Sequence, residues 1–265
     1  MQYIVYSDLD GTLLNHHNYS FLEASEALSY LQTNLIPLII VTSKTFCEVK
    51  LLQQKLQIKC PFIVENGAGI FIPSDSVLAE NICVEEEYIK VSQAQSYLEL
   101  RLFFKHLQNT YSIRGFGDME VDEVMSLTSL DKDDAINAMK RDFSEPFVVE
   151  GNVDIEVLTQ EAKNEGLDIV KGGRFYHLIS EGQDKAKAML HLTHLYEECL
   201  DTTFTMIALG DSPNDFTMLK AAHKAVLVPH NDGSYADVEI ENIIKAPFAG
   251  AKGWNSALME ILNES

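Results

Sequence analysis

The sequence has no long apolar run. None of its apolar stretches approaches the length of about 18 residues that a membrane-spanning helix requires. The first ten residues, MQYIVYSDLD, also lack the basic segment, apolar segment and cleavage site of a secretion signal. We therefore expect a cytoplasmic protein without a membrane partner.

Positive charge is also scarce. The 265 residues include 20 Lys and Arg against 40 Asp and Glu, which gives a formal net charge of −20 at pH 7. Nucleic acids and anionic membranes bind a basic face, so this charge argues against both as partners. An anionic substrate would need a local positive centre.

Cysteine is the third scarce feature. The chain has four widely spaced cysteines and no CxxC pair: Cys47, Cys60, Cys83 and Cys199. This spacing favours reduced thiols over disulfides or a zinc site. The rest of the composition, 46% hydrophobic and 23% charged, is that of a globular protein with one large domain or two small ones.

Short apolar runs alternate with helical patterns towards both ends of the chain. Capping-box spacing at Ser20 and Glu23, and again at Thr45 and Glu48, indicates two helix starts. Apolar strands that alternate with helices form a parallel sheet covered on both faces, so we predict an α/β fold with a Rossmann-like, doubly wound sheet. The predicted strand runs are YIVY, LIPLIIVTSKT, PFIVENGAGIF, FTMIALGD and KAVLVP.

The pattern changes between residues 81 and 183. Amphipathic helices and shorter strands replace the buried runs there, and Gly172 and Gly173 indicate a hairpin turn. We predict that residues 81–183 form an α+β unit inserted into a discontinuous core domain made of residues 1–80 and 184–265.

Two acidic pairs follow predicted strands. Asp8 and Asp10 come after the first strand, while Asp211 ends a later strand and Asp215 lies in the next helical turn. If both pairs meet at the carboxyl edge of the sheet, they repel, since two like charges about 4 Å apart cost about 4 kcal/mol at an effective dielectric of 20. A hard cation with oxygen ligands, Mg²⁺, relieves this repulsion best.

Four segments in order resemble the motifs of the haloacid dehalogenase-like phosphatases: DLDGTLL, VTSKT, Lys185 and GDSPNDFTML. The insertion resembles the larger cap, of the C2B type, found in the sugar-phosphatase branch. VTSKT, ENGAGIF, RDFSEPF, GGRFYHL and GWNSAL further resemble the mannosyl-3-phosphoglycerate phosphatase subfamily. That subfamily usually has glycine where this chain has Ala186.

This resemblance implies a Mg²⁺-dependent phosphatase that passes through an aspartyl-phosphate on Asp8. Asp10 would act as acid and then base, while Thr42 or Ser43 and Lys185 would hold the phosphoryl oxygens. The metal would be bound by the Asp8 side chain, the Asp10 backbone carbonyl and Asp211, with Asp215 as a ligand or as support for one.

The same resemblance implies a small phosphorylated sugar acid as substrate, mannosyl- or glucosyl-3-phosphoglycerate. Arg174 is a candidate clamp for the glycerate carboxylate, with an exposed arginine as the competing interpretation. Asn66 serves either the substrate or the geometry of its turn. The full set of candidate substrate-binding residues is Lys44, Asn66, Gly67, Ser144, Glu145, Gly173, Arg174, His177 and Asn214.

Two other functions stay open at this point, as does the oligomeric state. One is a phosphatase of another sugar phosphate, such as a relative of the sucrose phosphatases. The other is a non-enzymatic phospho-acceptor switch, which also combines acids, Mg²⁺, a hydroxyl and a lysine. A switch gains nothing from Asp10 two residues after its acceptor, and it needs no cap of about a hundred residues.

Overall fold

A computed structural model describes residues 2–80, 86–172 and 175–264. The strands are β1 (Gln2–Ser7), β2 (Leu38–Val41), β3 (Phe62–Val64), β4 (Gly69–Pro73), β5 (Tyr88–Val91), β6 (Ile113–Gly115), β7 (Glu145–Val149), β8 (Leu167–Gly172), β9 (Phe175–Ser180), β10 (Phe204–Gly210), β11 (Lys224–Leu227) and β12 (Ile244–Lys245). The helices are α1 (Ser25–Thr33), α2 (Phe46–Leu56), α3 (Tyr97–Leu107), α4 (Val121–Thr128), α5 (Lys132–Ala138), α6 (Ile155–Asn164), α7 (Lys185–Leu200), α8 (Phe216–Ala221) and α9 (Gly250–Asn263).

The larger sheet has the strand order β12-β11-β10-β1-β2-β3-β4-β5. Pairing is parallel from β12 through β3, and β4 and β5 continue the sheet antiparallel. The predicted α/β fold with a mostly parallel central sheet is therefore confirmed. The carboxyl ends of β1, β2, β3 and β10 lie side by side along one edge of this sheet, because these strands are adjacent and parallel.

Alternate residues of the central strands face opposite sides of this sheet. Ile4 and Tyr6 of β1 pack with Met189 of α7 and Met218 of α8 in one buried cluster. On the other side, the fully buried Trp254 of α9 donates a hydrogen bond to Ser7 Oγ at 2.9 Å. Both faces are therefore covered, as the continuous apolar strands predict.

A second sheet, with order β6-β7-β9-β8, is antiparallel at each pairing. Leu100 and Phe104 of α3 pack against Phe147 of β7 and Leu178 of β9, and the rings of Phe104 and Phe147 are 5.3 Å apart between centroids. This α+β unit has its own buried core, distinct from that of the parallel sheet. The predicted turn at Gly172 and Gly173 lies partly outside the described residues.

The chain divides into two compact units. The first comprises Met1–Thr42, Ile58–Val91 and Asp184–Ser265, and the second comprises Ser43–Gln57 and Ser92–Gln183. Helix α2 falls in the second unit, where it packs on α5 and Thr45 Oγ1 donates to Asn137 O at 2.9 Å. Within the described ranges, no helix has the length and apolar character needed to cross a membrane.

The two predicted capping boxes have different outcomes. At Thr45 the side chain accepts a hydrogen bond from Glu48 N at 3.3 Å, and Glu48 Oε2 accepts from Thr45 N at 2.9 Å, so this box is confirmed. The box at Ser20 and Glu23 is wrong. A 3₁₀ turn precedes α1, and Glu23 instead accepts a hydrogen bond from the side chain of Asn15 at 3.1 Å.

Candidate active site

Asp8 lies directly beyond the end of strand β1. Its backbone N–H donates to Leu209 O at 3.0 Å, which extends the pairing with β10, and its side chain is buried with 6% of the residue exposed. The chain then turns at Gly11, whose φ is +84°. A Cβ atom at Gly11 would collide with the Asp211 carboxylate, so glycine lets the turn lie against that acid.

The loop after β10 is organised by the side chain of Asp215. Its Oδ2 accepts hydrogen bonds from Asp211 N at 3.1 Å and Ser212 N at 3.2 Å, and the residue is fully buried. A Cβ atom at Gly210 would lie 2.5 Å from that of Asp215. Glycine at this position therefore allows the Asp215 side chain to fold back onto the end of the strand.

Lys185, the first residue of α7, joins the two acidic loops. Its Nζ donates to Asp8 Oδ1 at 2.7 Å, to Asp215 Oδ1 at 2.6 Å and to Val41 O at 3.0 Å. These three acceptors match the three N–H bonds of an ammonium group, and only 1% of the residue is exposed. Ala186, where the subfamily usually has glycine, is buried beside it and does not prevent this geometry.

Three carboxylates meet at this edge: Asp8, Asp211 and Asp215 each offer one oxygen within 4.8 Å of the other two. Burial, reinforced by the charge of Asp215, raises the pKa of Asp8 well above its ordinary value, although Lys185 opposes the shift. Burial and the charge of Asp215 also raise the pKa of Asp211 to about 6. One lysine therefore does not compensate the three acids.

The site has the chemistry of a divalent cation site. Asp211 Oδ1 is buried and has no hydrogen-bond partner among the described residues. A buried carboxylate oxygen without a donor is costly unless a cation coordinates it. Both Asp215 oxygens already accept hydrogen bonds, from Lys185 and from the loop N–H groups. The donor set therefore fits Mg²⁺ bound at Asp8 and Asp211, with Asp215 supporting them.

The other predicted residues of this unit lie around the same edge. Thr42 is 1% exposed, and its carbonyl accepts a hydrogen bond from Asn66 N at 2.9 Å. The Asn66 side chain accepts from Asn214 Nδ2 at 3.2 Å. Asp10 is partly exposed and pairs through its backbone with Leu14, and its carboxylate is not one of the three that cluster.

The predicted residues of the second unit are described within that unit. Ser43 O accepts a hydrogen bond from Arg141 Nη1 at 2.8 Å, and Lys44 pairs with Glu48 at 3.6 Å. Ser144, which directly precedes β7, and His177 of β9 are both buried, and His177 lies opposite Pro146 of β7. The predicted substrate residues Gly173 and Arg174 lie outside the described residues.

Glu145 is fully buried within the second unit. Its Oε1 accepts from Gly117 N at 2.9 Å and lies 3.3 Å from Arg101 Nη1. Burial raises the pKa of Glu145, although a hydrogen bond with Tyr97 opposes the shift. These contacts hold the Glu145 carboxylate within the second unit, and Ser144 directly precedes it in the chain.

Sequence reasoning missed three groups that shape the site. Val41 contributes a backbone oxygen to Lys185, which no side-chain pattern reveals. Ser7 Oγ donates to Asp8 O at 2.6 Å and accepts from Trp254, so a buried tryptophan braces the end of β1. Asp184 caps α7 by accepting from Ala186 N at 2.6 Å, and an aspartate just before a helical run is a signal that could have revealed it.

Comparison with known proteins identifies the class that this fold and site define. The family model for haloacid dehalogenase-like hydrolases matches residues 5–232. The chain belongs to this family. A Thermoplasma acidophilum protein of known structure superposes with a TM-score of 0.71 at 16% identity, covering 99% of each chain, which supports the fold alone.

Two curated relatives match along the whole chain. A Persephonella marina protein named glucosyl-3-phosphoglycerate/mannosyl-3-phosphoglycerate phosphatase is 44% identical over 263 residues, which is 98% of this chain and 97% of the relative. A Methanococcoides burtonii protein with the same name is 36% identical over 271 residues, covering 100% and 99%. Together with the family, these relatives make the chain a phosphoric monoester hydrolase.

The raised pKa of Asp211 predicts a pH effect on the metal-free protein. A carboxyl group with a folded pKa of about 6 against an ordinary value of 3.8 binds its proton more tightly in the native state. This tighter protonation stabilises the native state fully below pH 3.8, the ordinary pKa, and the stabilisation is lost as the pH rises through 6. The free energy of unfolding falls by about 3 kcal/mol over this range.

The test compares wild type with Asp211→Asn. Urea unfolding in the presence of a chelator, from pH 4 to 7.5, should show the free energy of unfolding of wild type falling relative to the variant as the pH rises. Asp237→Asn removes an exposed carboxylate and serves as the matched control. Parallel pH curves for wild type and Asp211→Asn would contradict the expectation.

Proposed function

We propose that the protein hydrolyses glucosyl-3-phosphoglycerate or mannosyl-3-phosphoglycerate to the glycosylglycerate and inorganic phosphate. The observation that carries the substrate assignment is the full-length identity of 44% to a relative with that name. The Lys185 contact to both Asp8 and Asp215 supports the same chemistry, because it holds a buried nucleophile beside a fixed positive charge.

The reaction divides into two displacements at phosphorus. Asp8 attacks the phosphorus atom, the bond to the ester oxygen breaks, and Asp10 donates a proton to the departing alkoxide. Asp10 then removes a proton from water, which attacks the aspartyl-phosphate and breaks its bond to the Asp8 oxygen. Phosphate leaves, and both aspartates return to their starting state.

The remaining groups of the site stabilise charge on the phosphoryl oxygens. As Asp8 attacks phosphorus, Lys185 exchanges its hydrogen bond to Asp8 Oδ1 for one to a phosphoryl oxygen. The hydroxyl of Thr42 or Ser43 donates to another of the oxygens whose charge changes in the transition state. Mg²⁺ held by Asp8, Asp211 and the Asp10 carbonyl would supply electrostatic stabilisation of the transferring group when bound. Without this cation, the excess of acids disfavours an incoming phosphate dianion.

Selection of the sugar acid is assigned to residues of the second unit. Lys44 and Arg174 are the cationic candidates for the glycerate carboxylate, since ammonium and guanidinium groups pair with carboxylates. Ser144 and His177 are the candidates that contact the sugar, alongside Gly173. Glu145, which is fully buried and lies 3.3 Å from Arg101 Nη1, is proposed as a further residue of this sugar-binding group.

A substrate panel tests this proposal. Phosphate release is measured from glucosyl- and mannosyl-3-phosphoglycerate, 3-phosphoglycerate, sucrose-6-phosphate and hexose phosphates, with Mg²⁺ and with a chelator. The highest kcat/KM is expected for one of the two glycosyl-3-phosphoglycerates, and the chelator should abolish turnover. A higher kcat/KM for sucrose-6-phosphate or a hexose phosphate would contradict the proposed substrate. Full activity in the presence of the chelator would contradict the proposed dependence on Mg²⁺.

A further inference from the structure

Three consecutive residues after β3 have left-handed backbones. The φ angles of Glu65, Asn66 and Gly67 are +48°, +60° and +96°. Positive φ is uncommon outside glycine, and each such residue costs about 1 kcal/mol or more unless its surroundings compensate. This turn at residues 65–67 is therefore strained. Each of its three contacts described below is with a residue of the candidate active site or directly beside one.

The first contact is between Gly67 and the start of helix α7. A Cβ atom at Gly67 would collide with the Asp184 carbonyl and lie 2.9 Å from Lys185 N. The atoms in the way are backbone, which cannot move aside as a flexible side chain can. The absence of a side chain at Gly67 therefore sets how closely the helix that begins with Lys185 approaches the sheet edge.

The second and third contacts are made by Asn66. Its N–H donates to Thr42 O at 2.9 Å, beside the carbonyl of Val41 that accepts from Lys185. Its side-chain oxygen accepts from Asn214 Nδ2 at 3.2 Å, and Asn214 in turn accepts from Ser212 Oγ at 2.7 Å. One residue thus joins the loop after β2 to the loop that carries the acids after β10.

We infer that the turn at residues 65–67 is a positioning device that sets the Lys185 ammonium group relative to Asp8 and Asp215. Asn66 and Gly67 act through Lys185 and the acidic loop, and their left-handed backbones are the means by which one turn reaches both. The inference resolves the two interpretations of Asn66 in favour of turn geometry. It rests on the proposed role of Lys185 in holding the phosphoryl oxygens.

Gly67→Ala is the first test, with Gly233→Ala as the matched control. Gly233 has a φ of +82° in the same unit, and a Cβ atom there would meet nothing within 4 Å. Both variants therefore lose stability from the left-handed backbone, but only Gly67→Ala displaces α7. At a temperature where both are folded, we expect Gly67→Ala to lower kcat for p-nitrophenyl phosphate by about a hundredfold.

The second readout is orthovanadate binding in the presence of Mg²⁺, measured by calorimetry. Orthovanadate resembles the transferring phosphoryl group, so a displaced Lys185 should weaken its binding by about tenfold or more in Gly67→Ala and leave it unchanged in Gly233→Ala. A purely structural role for Gly67 would lower thermal stability alone. Folded Gly67→Ala with the kcat and orthovanadate affinity of wild type would overturn the inference.

Asn66→Gly keeps the test valid if Gly67→Ala does not fold. Glycine accepts the left-handed backbone without strain, so this variant removes the contact to Asn214 and keeps the turn. Residues that act through one contact are non-additive, so Asn66→Gly, Asn214→Ala and the double variant should weaken orthovanadate binding by the same factor. Independent, multiplying factors, or three variants with wild-type affinity, would contradict the assignment.

The experiment separates this inference from the substrate assignment. p-Nitrophenyl phosphate and orthovanadate carry no sugar acid, so the variants can be ranked whether or not glycosyl-3-phosphoglycerates are the substrates. If the substrate panel fails while Gly67→Ala still loses orthovanadate affinity, the proposed substrate falls and the positioning turn stands. If the panel succeeds and Gly67→Ala has the orthovanadate affinity of wild type, the proposed substrate stands and the positioning role of the turn is rejected.

Discussion

Asp8→Asn is expected to abolish phosphate release and to leave the fold intact. The amide nitrogen of asparagine is not a nucleophile, so no aspartyl-phosphate forms, and a loss on the order of 10⁴-fold or more is expected for a residue of this role. The change is nearly isosteric, and the new side chain can still accept the Lys185 hydrogen bond that Asp8 Oδ1 accepts at 2.7 Å. Removing a buried acid whose pKa burial already raises should not lower the stability of the metal-free protein.

The measurement combines phosphate release in Mg²⁺ with thermal unfolding in chelator. Asp8→Ala is the control, because asparagine can deamidate slowly to aspartate and restore activity, whereas alanine cannot. Both variants should be inactive, and only Asp8→Ala should lose stability, through the cavity it leaves. Turnover above about one hundredth of wild type in both variants would remove Asp8 from the nucleophile role.

Lys185→Met carries the second large effect, because it alters stability as well as chemistry. Methionine fills similar space without charge and leaves the buried carboxylates of Asp8 and Asp215 without their cation. Removing one partner of a buried ion pair costs about 3 to 5 kcal/mol, since the remaining charge stays desolvated. Turnover should also fall by about a hundredfold or more, as a donor to the transition state is lost.

The stability loss should depend on pH and on metal. Burial raises the pKa of Asp8, so acid neutralises this carboxylate, and Mg²⁺ offsets the charge of the acidic cluster. Both treatments should therefore reduce the difference in the free energy of unfolding between wild type and Lys185→Met in urea. Lys187→Met, at an exposed position two residues further along α7, removes the same formal charge and should have little effect. If Lys185→Met and Lys187→Met lost the same free energy of unfolding at pH 7.5, the net charge of the protein, and not the buried contact of Lys185, would determine its stability.

The sheet could be predicted from the sequence, because its strands are apolar throughout. The consecutive apolar residues Ile4, Val5 and Tyr6 of β1 predict burial on both faces of the sheet, and the helices between the strands indicate parallel pairing. The 3₁₀ turn at Leu22–Ala24 was missed because a capping pattern indicates a helix start without specifying which residue begins it. The short strand β12 was missed because two residues carry too little periodicity.

The candidate catalytic residues could be placed at the edge of the sheet from the sequence, but the contacts between them could not be predicted. Asp8 and Asp211 directly follow the buried strands β1 and β10, and the adjacency of these strands in the sheet brings the two residues together. The position of Lys185 came from the order of motifs, since a lysine at a helix start is ordinarily exposed. Its contacts to the Val41 carbonyl and the packing of Gly67 depend on backbone geometry over long sequence distances, which a local pattern does not encode.

The first unit resumes at Asp184, and the helix-capping residue and the buried lysine are therefore the first two residues after the inserted segment. Insertions, deletions or an exchange of the whole inserted segment would change only residues that precede Asp184. The position of α7 against the turn at residues 65–67 would therefore be preserved. On the proposed assignment of substrate selection to the second unit, the selected phosphate ester can change in evolution while the contacts of Lys185 are kept. Chimeras joined at Gln183 are therefore suitable starting points for engineering a new specificity.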